Sequence, residues 1–369
     1  MRGGAAPERA RGLISVNVAK QLRDFRLEVA FEVGTGECLA LVGPTGCGKT
    51  TILRIIAGLE VPDVGSVRID DAVLVDATTG VFLPPQQRHL GMVFQDFALF
   101  PHMTVLGNAA YGARARGLGT VAADEEARKA IGIVGMTEHE RVRPGQLSGG
   151  QRQRVALARA LASQPRALLM DEPMSALDAS TRRQVRGQLS QLLSGLGLQT
   201  IIVTHDVVDA LTVGDRVCVM NDGKVVQVGT RAELLSEPRT PFVAEFMGVN
   251  LLSGCMTRDS TGALVAVCGG SVFRASEVLD DAGEGAEAHV TFSPADVLLV
   301  REPPVGWTDN ILSGQVDSIT HLGTRSRITV RNEATVVAEI AYTDESRLDL
   351  RVGDRVHACI PQSALKWYR

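Results

Sequence analysis

The sequence predicts an α/β domain followed by a small all-β domain. Up to about residue 235, short apolar runs typical of buried strands alternate with helical patterns. This alternation indicates a parallel sheet that helices cover on both faces. After about residue 236, short segments of alternating apolar and polar residues are separated by glycine turns. That second pattern is typical of a small β-barrel or β-sandwich.

In the first domain, three apolar runs are short and continuous, as buried parallel strands are. They lie at residues 37–42, 167–170 and 200–203. Three longer segments have the periodicity of helices, and they lie at residues 50–59, 151–163 and 179–195.

The second domain begins after a connector in which Pro238 and Pro241 flank the start of a short helix, around residues 242–247. Six segments with the alternation of strands follow, at residues 264–268, 287–292, 311–318, 325–330, 336–341 and 355–360. We therefore predict an unstructured leader at residues 1–13, an α/β domain at 14–236, a connector at 237–250 and a β-domain at 251–369.

The 369 residues carry a net charge of −4, with +1 on residues 1–250 and −5 on the remainder. Neither part is as basic as a dedicated nucleic-acid-binding domain. The six cysteines form no Cys-x-x-Cys pair and match no zinc-site spacing. No apolar run approaches the roughly 18–20 residues that a membrane span needs, so we expect any membrane contact to go through a partner.

Residues 43–50 match the phosphate-loop motif G-x-x-x-x-G-K-[ST], between a predicted strand and a predicted helix. Glycines let backbone N–H groups converge on phosphate oxygens, and the helix N-terminus adds further donors. We expect Lys49 to reach the β- and γ-phosphates and the Thr50 hydroxyl to bind Mg²⁺. A chance glycine-rich turn and a reactive Cys47 thiol are the alternatives. The residues predicted to bind nucleotide here are Gly43, Pro44, Thr45, Gly46, Cys47, Gly48, Lys49, Thr50 and Thr51.

Two adjacent carboxylates, Asp171 and Glu172, follow the apolar run at residues 167–170. Open α/β sheets bind ligands at the carboxyl ends of their strands. Asp171 is therefore placed to hold Mg²⁺, and Glu172 to act as the general base for the water that attacks the γ-phosphate. The alternative is a pair of solvated acids at a strand end.

A second glycine-rich motif, Leu-Ser-Gly-Gly-Gln at residues 147–151, opens a strongly helical stretch. Ser148, Gly149 and Gly150, here called the Ser148 loop, would form another anion-binding helix N-terminus, and Gln151 completes the motif. One site does not need two γ-phosphate cradles from one chain. The pattern predicts a head-to-tail homodimer in which the Ser148 loop of one subunit caps the ATP on the phosphate loop of the other.

With these motifs, the sequence resembles the nucleotide-binding subunits of ABC transporters. Residues 93–96 resemble the family's Q-loop, 175–178 its D-loop and 203–206 its switch strand. The resemblance implies a P-loop ATPase domain with a mixed sheet, a helical subdomain at about residues 97–160, and ATP with Mg²⁺ as the nucleotide and metal.

The resemblance also assigns roles to three residues. Gln95 would bind Mg²⁺ and sense the γ-phosphate, Asp178 would lie beside the nucleotide at the dimer interface, and His205 would lie near the γ-phosphate. A histidine after a strand is otherwise more often structural, which is the alternative for His205. The family usually stacks an aromatic ring on adenine just after the first strand; Leu22 holds that place, and Phe25 is the nearby aromatic alternative.

The chain has one nucleotide domain and no long coiled-coil insertion, unlike the ABC ATPases of translation and DNA repair. Its C-terminal region resembles the OB-like regulatory domain (TOBE or mop type) of bacterial importer subunits. The resemblance implies an ATPase on the cytoplasmic face of the inner membrane, working with two permease subunits and, indirectly, a periplasmic binding protein. Residues 97–102 would receive a coupling helix of the permease, or would be ordinary core.

Residues 76–95 and 310–360 resemble molybdate importers and their oxyanion-binding module, which predicts molybdate as the transported solute. Two cations of that module are missing here, near residues 307–309 and 361–363. Importers of iron(III), sulfate or polyamines share the layout and are the alternatives. A soluble ABC ATPase that acts as a regulator without a permease is the alternative of another class.

Overall fold

The computed structural model describes residues 13–275, 284–307 and 309–368. Apart from Leu13, the predicted leader lies outside the described residues. The chain divides into two compact units, Met1–Arg231 and Ala232–Arg369. Among the described residues, no helix combines the length and the apolar character that crossing a bilayer requires.

The described part of the first unit is built on one eleven-stranded sheet. Its strands are β1 (Ile14–Gln21), β2 (Arg26–Val33), β3 (Cys38–Val42), β4 (Val64–Ile69), β5 (Ala72–Asp76), β6 (Val81–Phe82), β7 (Leu90–Val93), β8 (Ala167–Asp171), β9 (Gln199–Val203), β10 (Arg216–Asn221) and β11 (Lys224–Gly229). The helices are α1 (Lys49–Ala57), α2 (Val105–Ala115), α3 (Thr120–Ile133), α4 (Gly149–Ala162), α5 (Ala179–Leu196) and α6 (Val207–Val213).

The sheet is mixed, with strand order β6-β5-β4-β1-β2-β11-β10-β3-β9-β8-β7. The five strands from β10 to β7 are parallel, and every residue of β3, β8 and β9 is buried. At the other end of the sheet, β1, β2, β4, β5 and β6 pair antiparallel. β2 alternates buried and exposed residues along its length, as a strand with one solvated face does. The parallel arrangement indicated by the alternation of strands and helices is found from β10 to β7, and the mixed sheet implied by the family resemblance is confirmed.

The C-terminal end of α1 is fixed by Arg88, whose side chain is only 1% exposed. Its guanidinium donates to the carbonyl oxygens of Ile55 and Ile56 at 2.7 and 2.8 Å, and to that of Leu83 at 2.7 Å. The last carbonyls of a helix have no partner within it, so Arg88 supplies donors for them. Burial lowers the pKa of Arg88 to about 10, which leaves the group charged at neutral pH.

Three helices, α2, α3 and α4, pack against one another between β7 and β8 in the chain. Asn108, which is fully buried, fixes the segment before α2. Its amide donates to the carbonyl oxygens of Phe100, Met103 and Thr104 and accepts from the Phe100 N–H. One side chain thus holds residues 100–104 in place.

The second unit begins with two short helices, α7 (Arg231–Ser236) and α8 (Pro241–Met247). Its strands are β12 (Asn250–Arg258), β13 (Leu264–Cys268), β14 (Ser271–Phe273), β15 (Glu287–Phe292), β16 (Leu298–Val300), β17 (Asn310–Leu322), β18 (Arg325–Arg331), β19 (Thr335–Ala341), β20 (Arg355–Ile360) and β21 (Lys366–Tyr368), and α9 (Tyr342–Leu348) follows β19.

These strands form two five-stranded sheets, β14-β13-β12-β15-β21 and β16-β20-β17-β18-β19. Apolar residues of both sheets share one core. Two buried asparagines join the strands across it. Asn250 exchanges hydrogen bonds of 2.7 and 2.8 Å with the backbone of Val337, and Asn310 bonds to Arg274 and Ile360. The predicted all-β second domain is confirmed.

Candidate functional site

The predicted site residues meet at one edge of the parallel strands. Because parallel strands end at the same edge, the segments after β3, β7, β8 and β9 lie together there. These segments carry the phosphate loop, Gln95, the two acids and His205 in that order. The structure therefore brings these side chains to one place, as the sequence predicts.

The phosphate loop wraps around the Lys49 side chain, which is 5% exposed. The ammonium donates to the carbonyl oxygens of Gly43 and Pro44, at 2.8 Å each. Pro44, Thr45 and Gly46 are exposed at the tip of the loop. A β-carbon on Gly46 would meet no atom within 4 Å, so the space beside this residue is open to a ligand.

At two other glycines of the loop, neighbouring atoms lie so close that a β-carbon would overlap them. Gly43 has φ of 153°, and a β-carbon there would lie 2.2 Å from the Met220 carbonyl oxygen. Gly48 has φ of 101°, and a β-carbon there would lie 2.8 Å from Leu27. Gly43 excludes a side chain because the clash would be with backbone, and Gly48 disfavours one mainly because its φ lies in the left-handed region.

Cys47 lies inside the loop with its Sγ 3.7 Å from the Lys49 ammonium. Burial raises the pKa of this thiol, and the nearby ammonium only partly opposes that effect. The thiolate is the reactive form of cysteine, so the environment disfavours the alternative of a reactive thiol. Thr51 lies half-buried in the first turn of α1.

Thr50 and Asp171 form the pair of oxygen ligands expected for a metal ion. The Thr50 hydroxyl donates to Asp171 Oδ1 at 3.1 Å, which joins the start of α1 to the end of β8. Burial raises the pKa of the Asp171 carboxyl, although the Thr50 hydrogen bond opposes this. Hydroxyl and carboxylate oxygens are the donors that Mg²⁺ prefers, so these two residues fit the ion.

Glu172 is held by two side chains from neighbouring strand ends. Gln95 Nε2 donates to Glu172 Oε2 at 3.3 Å, and His205 Nδ1 lies 3.1 Å from Glu172 Oε1. A carboxylate can only accept, so the His205 proton in this pair sits on Nδ1. The Glu172 N–H donates to the Val203 carbonyl oxygen at 2.9 Å, although φ of Glu172 is 42°, a left-handed conformation that costs energy for a residue with a side chain.

The Ser148 loop is a complete helix cap. Ser148 Oγ accepts from the Gln151 N–H at 3.3 Å, and Gln151 Oε1 accepts from the Ser148 N–H at 2.9 Å. A β-carbon on Gly149 would lie 2.8 Å from Leu177, so this glycine allows close packing against the predicted D-loop. Within the described residues, no hydrogen bond or ion pair links the Ser148 loop to residues 43–50 of the same chain.

Asp178 is exposed and caps helix α5, because its carboxylate accepts from the N–H groups of Ser180 and Thr181 at 3.1 and 3.0 Å. The hydrogen bond with Ser180, followed by that with Thr181, holds the pKa of Asp178 well below its usual range. Its carboxylate thus has a structural task in addition to the interface position expected for it.

Of the two candidates for the adenine contact, Phe25 lies beside the phosphate loop. Its ring is 3.7 Å from the β-carbon position of Gly48. Phe25 and Leu22 both pack, partly buried, against the core of the first unit. The place predicted for the ring is thus occupied by an aliphatic residue, and the aromatic alternative is the one that borders the loop.

The segment at residues 97–102 is partly core and partly surface. Phe97 is buried, and Arg159 donates to the carbonyl oxygens of Phe97 and Ala98 at 2.8 and 2.6 Å. Phe100 is half-buried, with Arg159 over its ring at 5.7 Å and the exposed Tyr111 ring tilted against it, 4.5 Å between centroids. Both interpretations of the segment therefore have residues that fit them.

In the second unit, the region likened to an oxyanion module offers little to an anion at Asn310. The Asn310 side chain is 3% exposed and already bonds to the backbone of Arg274 and Ile360. Asp309, at one of the missing cations, accepts from the Gln362 N–H at 3.3 Å. Thr308 lies outside the described residues.

A charged cluster that was not among the residues predicted from the sequence lies behind the site. Arg182 donates to the carbonyl oxygens of Met174 and Ser175 and lies 3.6 Å from Asp206, the residue after His205. Arg186 donates to Asp209 at 2.6 Å. The sequence carries a pattern that could have indicated this cluster. Two arginines lie four residues apart on one predicted helix, and two aspartates lie three residues apart at the start of the next helix.

A phosphate loop that follows β3, with its threonine bonded to a carboxylate at the end of β8, places the first unit among the P-loop nucleoside triphosphatases. Comparison with known proteins narrows this class. The family described as ABC transporter matches residues 27–175. A sulfate/thiosulfate import ATP-binding protein of Chromobacterium violaceum is 39% identical over 92% of this chain and 90% of its own length.

Other relatives carry different names for the imported solute. A spermidine/putrescine import ATP-binding protein of Acidothermus cellulolyticus is 40% identical over 88% of this chain and 84% of its own. A trehalose/maltose import ATP-binding protein of Thermococcus litoralis is 47% identical, over 63% of each chain. The chain therefore belongs to the ABC transporter family, as an ATP-binding subunit of an import system, and it is an ATPase that uses ATP with Mg²⁺. Import subunits of this family work with membrane permeases and substrate-binding proteins.

Proposed function

We propose that two copies of this chain form a head-to-tail dimer with two ATP molecules at the interface. The observation that carries the proposal is that the Ser148 loop is fully formed but unconnected, within the described residues of its own chain, to the phosphate loop. Its backbone N–H groups lie at a helix N-terminus, which attracts phosphate oxygens. A second copy, related by a two-fold axis, would supply this loop to each nucleotide.

Within each site, we assign binding to the phosphate loop and chemistry to the strand-end residues. Lys49 binds the β- and γ-phosphate oxygens, and Phe25 borders the space for the base. Thr50, Asp171 and Gln95 would hold Mg²⁺, which would supply neutralisation of the phosphate charge. Most of the catalysis is positioning and charge stabilisation.

Glu172 is assigned as the general base. Each of its oxygens is held by one donor, which leaves further lone pairs free to accept a proton from the attacking water. His205 and Gln95 keep the carboxylate at the edge where the γ-phosphate would lie, so they act as positioning groups as well as phosphate sensors. General bases of this kind contribute about 10²–10⁴-fold to a rate.

The test uses Glu172→Gln, which keeps the shape of the side chain and removes its basicity. We expect ATP to drive this variant into a stable dimer, with ATPase turnover lowered by about 10²–10⁴-fold. Lys49→Ala should abolish ATP binding and therefore dimerisation. Sedimentation with and without ATP, together with phosphate release, measures both effects. Normal turnover by Glu172→Gln would contradict the base assignment, and tight ATP binding by Lys49→Ala would contradict the phosphate-loop assignment.

We further propose that the dimer acts at the cytoplasmic face of the inner membrane, below two permease subunits. The half-buried Phe100 ring and the exposed Tyr111 beside it support this, since they give a permease helix an apolar place to bind. Phe100→Ala should leave the basal ATPase rate unchanged and weaken stimulation by the permease. Stimulation equal to that of the wild type would contradict this docking site.

For the imported solute, we propose a tetrahedral oxyanion, with molybdate as the specific candidate from the sequence. The sulfate/thiosulfate relative, which matches nearly the whole chain, supports an oxyanion, because sulfate and molybdate share shape and charge. Polyamine relatives of similar identity support the main alternative, and iron(III) is a further one. The ATPase rate of proteoliposomes holding this chain with its permease and binding protein should rise with molybdate or sulfate. Stimulation by spermidine, by iron(III) or by a sugar alone would contradict the oxyanion proposal.

A further inference from the structure

We propose that His139 is a positioning residue for the Ser148 loop, acting through Gln151. This inference rests on the proposed role of the Ser148 loop as the cap of the partner's ATP. His139 ends a short 3₁₀ turn, Thr137–His139, which precedes the loop in the chain. Its ring is half-buried, and its Nε2 lies 3.1 Å from Nε2 of Gln151.

The direction of this hydrogen bond follows from the other end of the Gln151 amide. Gln151 Oε1 accepts from the Ser148 N–H at 2.9 Å, and a backbone N–H can only donate. The amide oxygen is therefore fixed on Ser148, and the amide nitrogen faces His139. Since that nitrogen can only donate, His139 Nε2 is the acceptor, and the proton of the neutral ring sits on Nδ1.

The His139 ring has little else to hold it. Its Nδ1 is buried and has no hydrogen-bond partner among the described residues. The Gln151 contact is thus the side-chain hydrogen bond that defines the ring position. In return, the ring fixes the orientation of the Gln151 amide. Without this contact the amide could rotate.

The consequence for the Ser148 loop is geometric. If the Gln151 amide rotated, its nitrogen would face the Ser148 N–H, and two donors would oppose each other. The Ser148 N–H would then lose its acceptor, and the cap that shapes the start of α4 would open. His139, Gln151 and Ser148 therefore form one chain of hydrogen bonds that ends at the loop proposed to bind the partner's ATP.

The test compares two replacements in the Glu172→Gln background. His139→Leu keeps the bulk and removes the acceptor, whereas His139→Gln returns an acceptor oxygen at about the same reach. His139→Leu removes one neutral hydrogen bond in each loop. The dissociation constant of the ATP-bound dimer should rise by about fivefold per loop, and therefore by about 25-fold in the dimer. In His139→Gln the dissociation constant should return to within about threefold of the Glu172→Gln parent. ATP binding to the Lys49 loop of the monomer should be unchanged in both.

His357→Leu is the matched control, because His357 is also half-buried and its Nδ1 makes a hydrogen bond of 2.8 Å with Ser313 Oγ in the second unit. It should leave dimerisation unchanged. Hydrogen exchange at the Ser148 amide gives a second readout in the monomer: it should speed up about fivefold in His139→Leu and not in His139→Gln. Dimerisation and Ser148 exchange like those of the parent in His139→Leu would overturn the inference. So would equal losses in the leucine and glutamine variants. If Glu172→Gln itself fails to dimerise with ATP, the proposed dimer is wrong, and the Ser148 exchange still decides the role of His139.

Discussion

Replacing Arg88 with methionine should loosen the phosphate-loop helix from its far end. Methionine fills much of the same space but carries no donor, so the carbonyl oxygens of Ile55, Ile56 and Leu83 lose a charged partner. The guanidinium also lies over the Phe82 ring at 5.0 Å. The perturbation is confined to a side chain that is 1% exposed, so water cannot readily take its place.

The magnitude follows from the three hydrogen bonds and the burial of the charge. Hydrogen bonds to charged groups contribute about 1.5–3 kcal/mol each. Removing a buried guanidinium also recovers several kcal/mol of its desolvation cost, so the sum is not additive. We expect a net loss of about 3 kcal/mol in the free energy of unfolding. For a domain of this size, that corresponds to a fall of about 6–12 °C in the unfolding midpoint.

The assay is calorimetry of the full chain, following the transition that ATP shifts, since ATP binds the first unit. Arg68→Met is the matched control, because Arg68 is exposed on β4 and its replacement should change the midpoint by less than about 2 °C. Gly58→Ala supplies a double-mutant cycle. A β-carbon on Gly58 would lie 2.5 Å from Arg88 Nε, so its cost should fall when Arg88 is already methionine.

Two results would refute this reasoning. If Arg88→Met lowers the midpoint no more than Arg68→Met does, the buried guanidinium contributes nothing net. If Gly58→Ala costs the same with and without Arg88, the contact between the two residues does not limit the helix end.

Three further predictions follow from single side chains. Asn108→Leu should destabilise the first unit by about 2–4 kcal/mol, because four backbone groups at residues 100–104 each lose a hydrogen bond, although the Phe100 and Thr104 carbonyl oxygens keep a backbone donor. Limited proteolysis should cut that segment first, and resistance equal to that of the parent would count against the prediction. Asn310→Leu should destabilise the second unit by a similar amount, about 2–4 kcal/mol, with the first-unit transition unchanged in calorimetry; a stable second unit would show that its hydrogen bonds are replaceable. The Thr261 hydroxyl and Arg274 hold the pKa of Asp259 well below its usual range. The stability that Asp259 contributes is therefore present above about pH 4 and is lost as the pH falls further, so Asp259→Asn should flatten the acid side of the second-unit stability curve, and an unaltered curve would contradict this.

The phosphate loop, the two acids and the Ser148 loop could be predicted because each is a short local pattern. Strand ends and helix starts fix their backbone groups, and the parallel half of the sheet brings those ends to one edge. The contact of Glu172 with both Gln95 and His205 follows from that edge once the strand order is known. Such features depend on neighbours in sequence and on one rule of topology.

Other features depend on pairs that are far apart in the chain, and no local pattern marks them. The sequence around Arg88 is typical of a polar turn and predicts an exposed side chain. In the structure, Arg88 is among the most buried large side chains of the described residues. The partners of β15, which are β12 and β21, lie at opposite ends of the second unit, so their pairing could not be predicted from segment composition. Asn310 resembles an anion ligand in sequence, whereas its environment makes it a bridge between strands.

The left-handed backbone at Glu172 lowers the stability of the protein relative to a variant with glycine at this position. Glycine adopts a φ of 42° without the penalty of about 1–2 kcal/mol that a side chain carries there. Selection for thermal stability alone would therefore favour glycine at this position, and under the proposed base role of Glu172 such a chain would lose its ATPase activity. If Glu172 is the base, as proposed, selection for higher thermal stability should enrich inactive variants at residue 172, so activity has to be selected alongside stability.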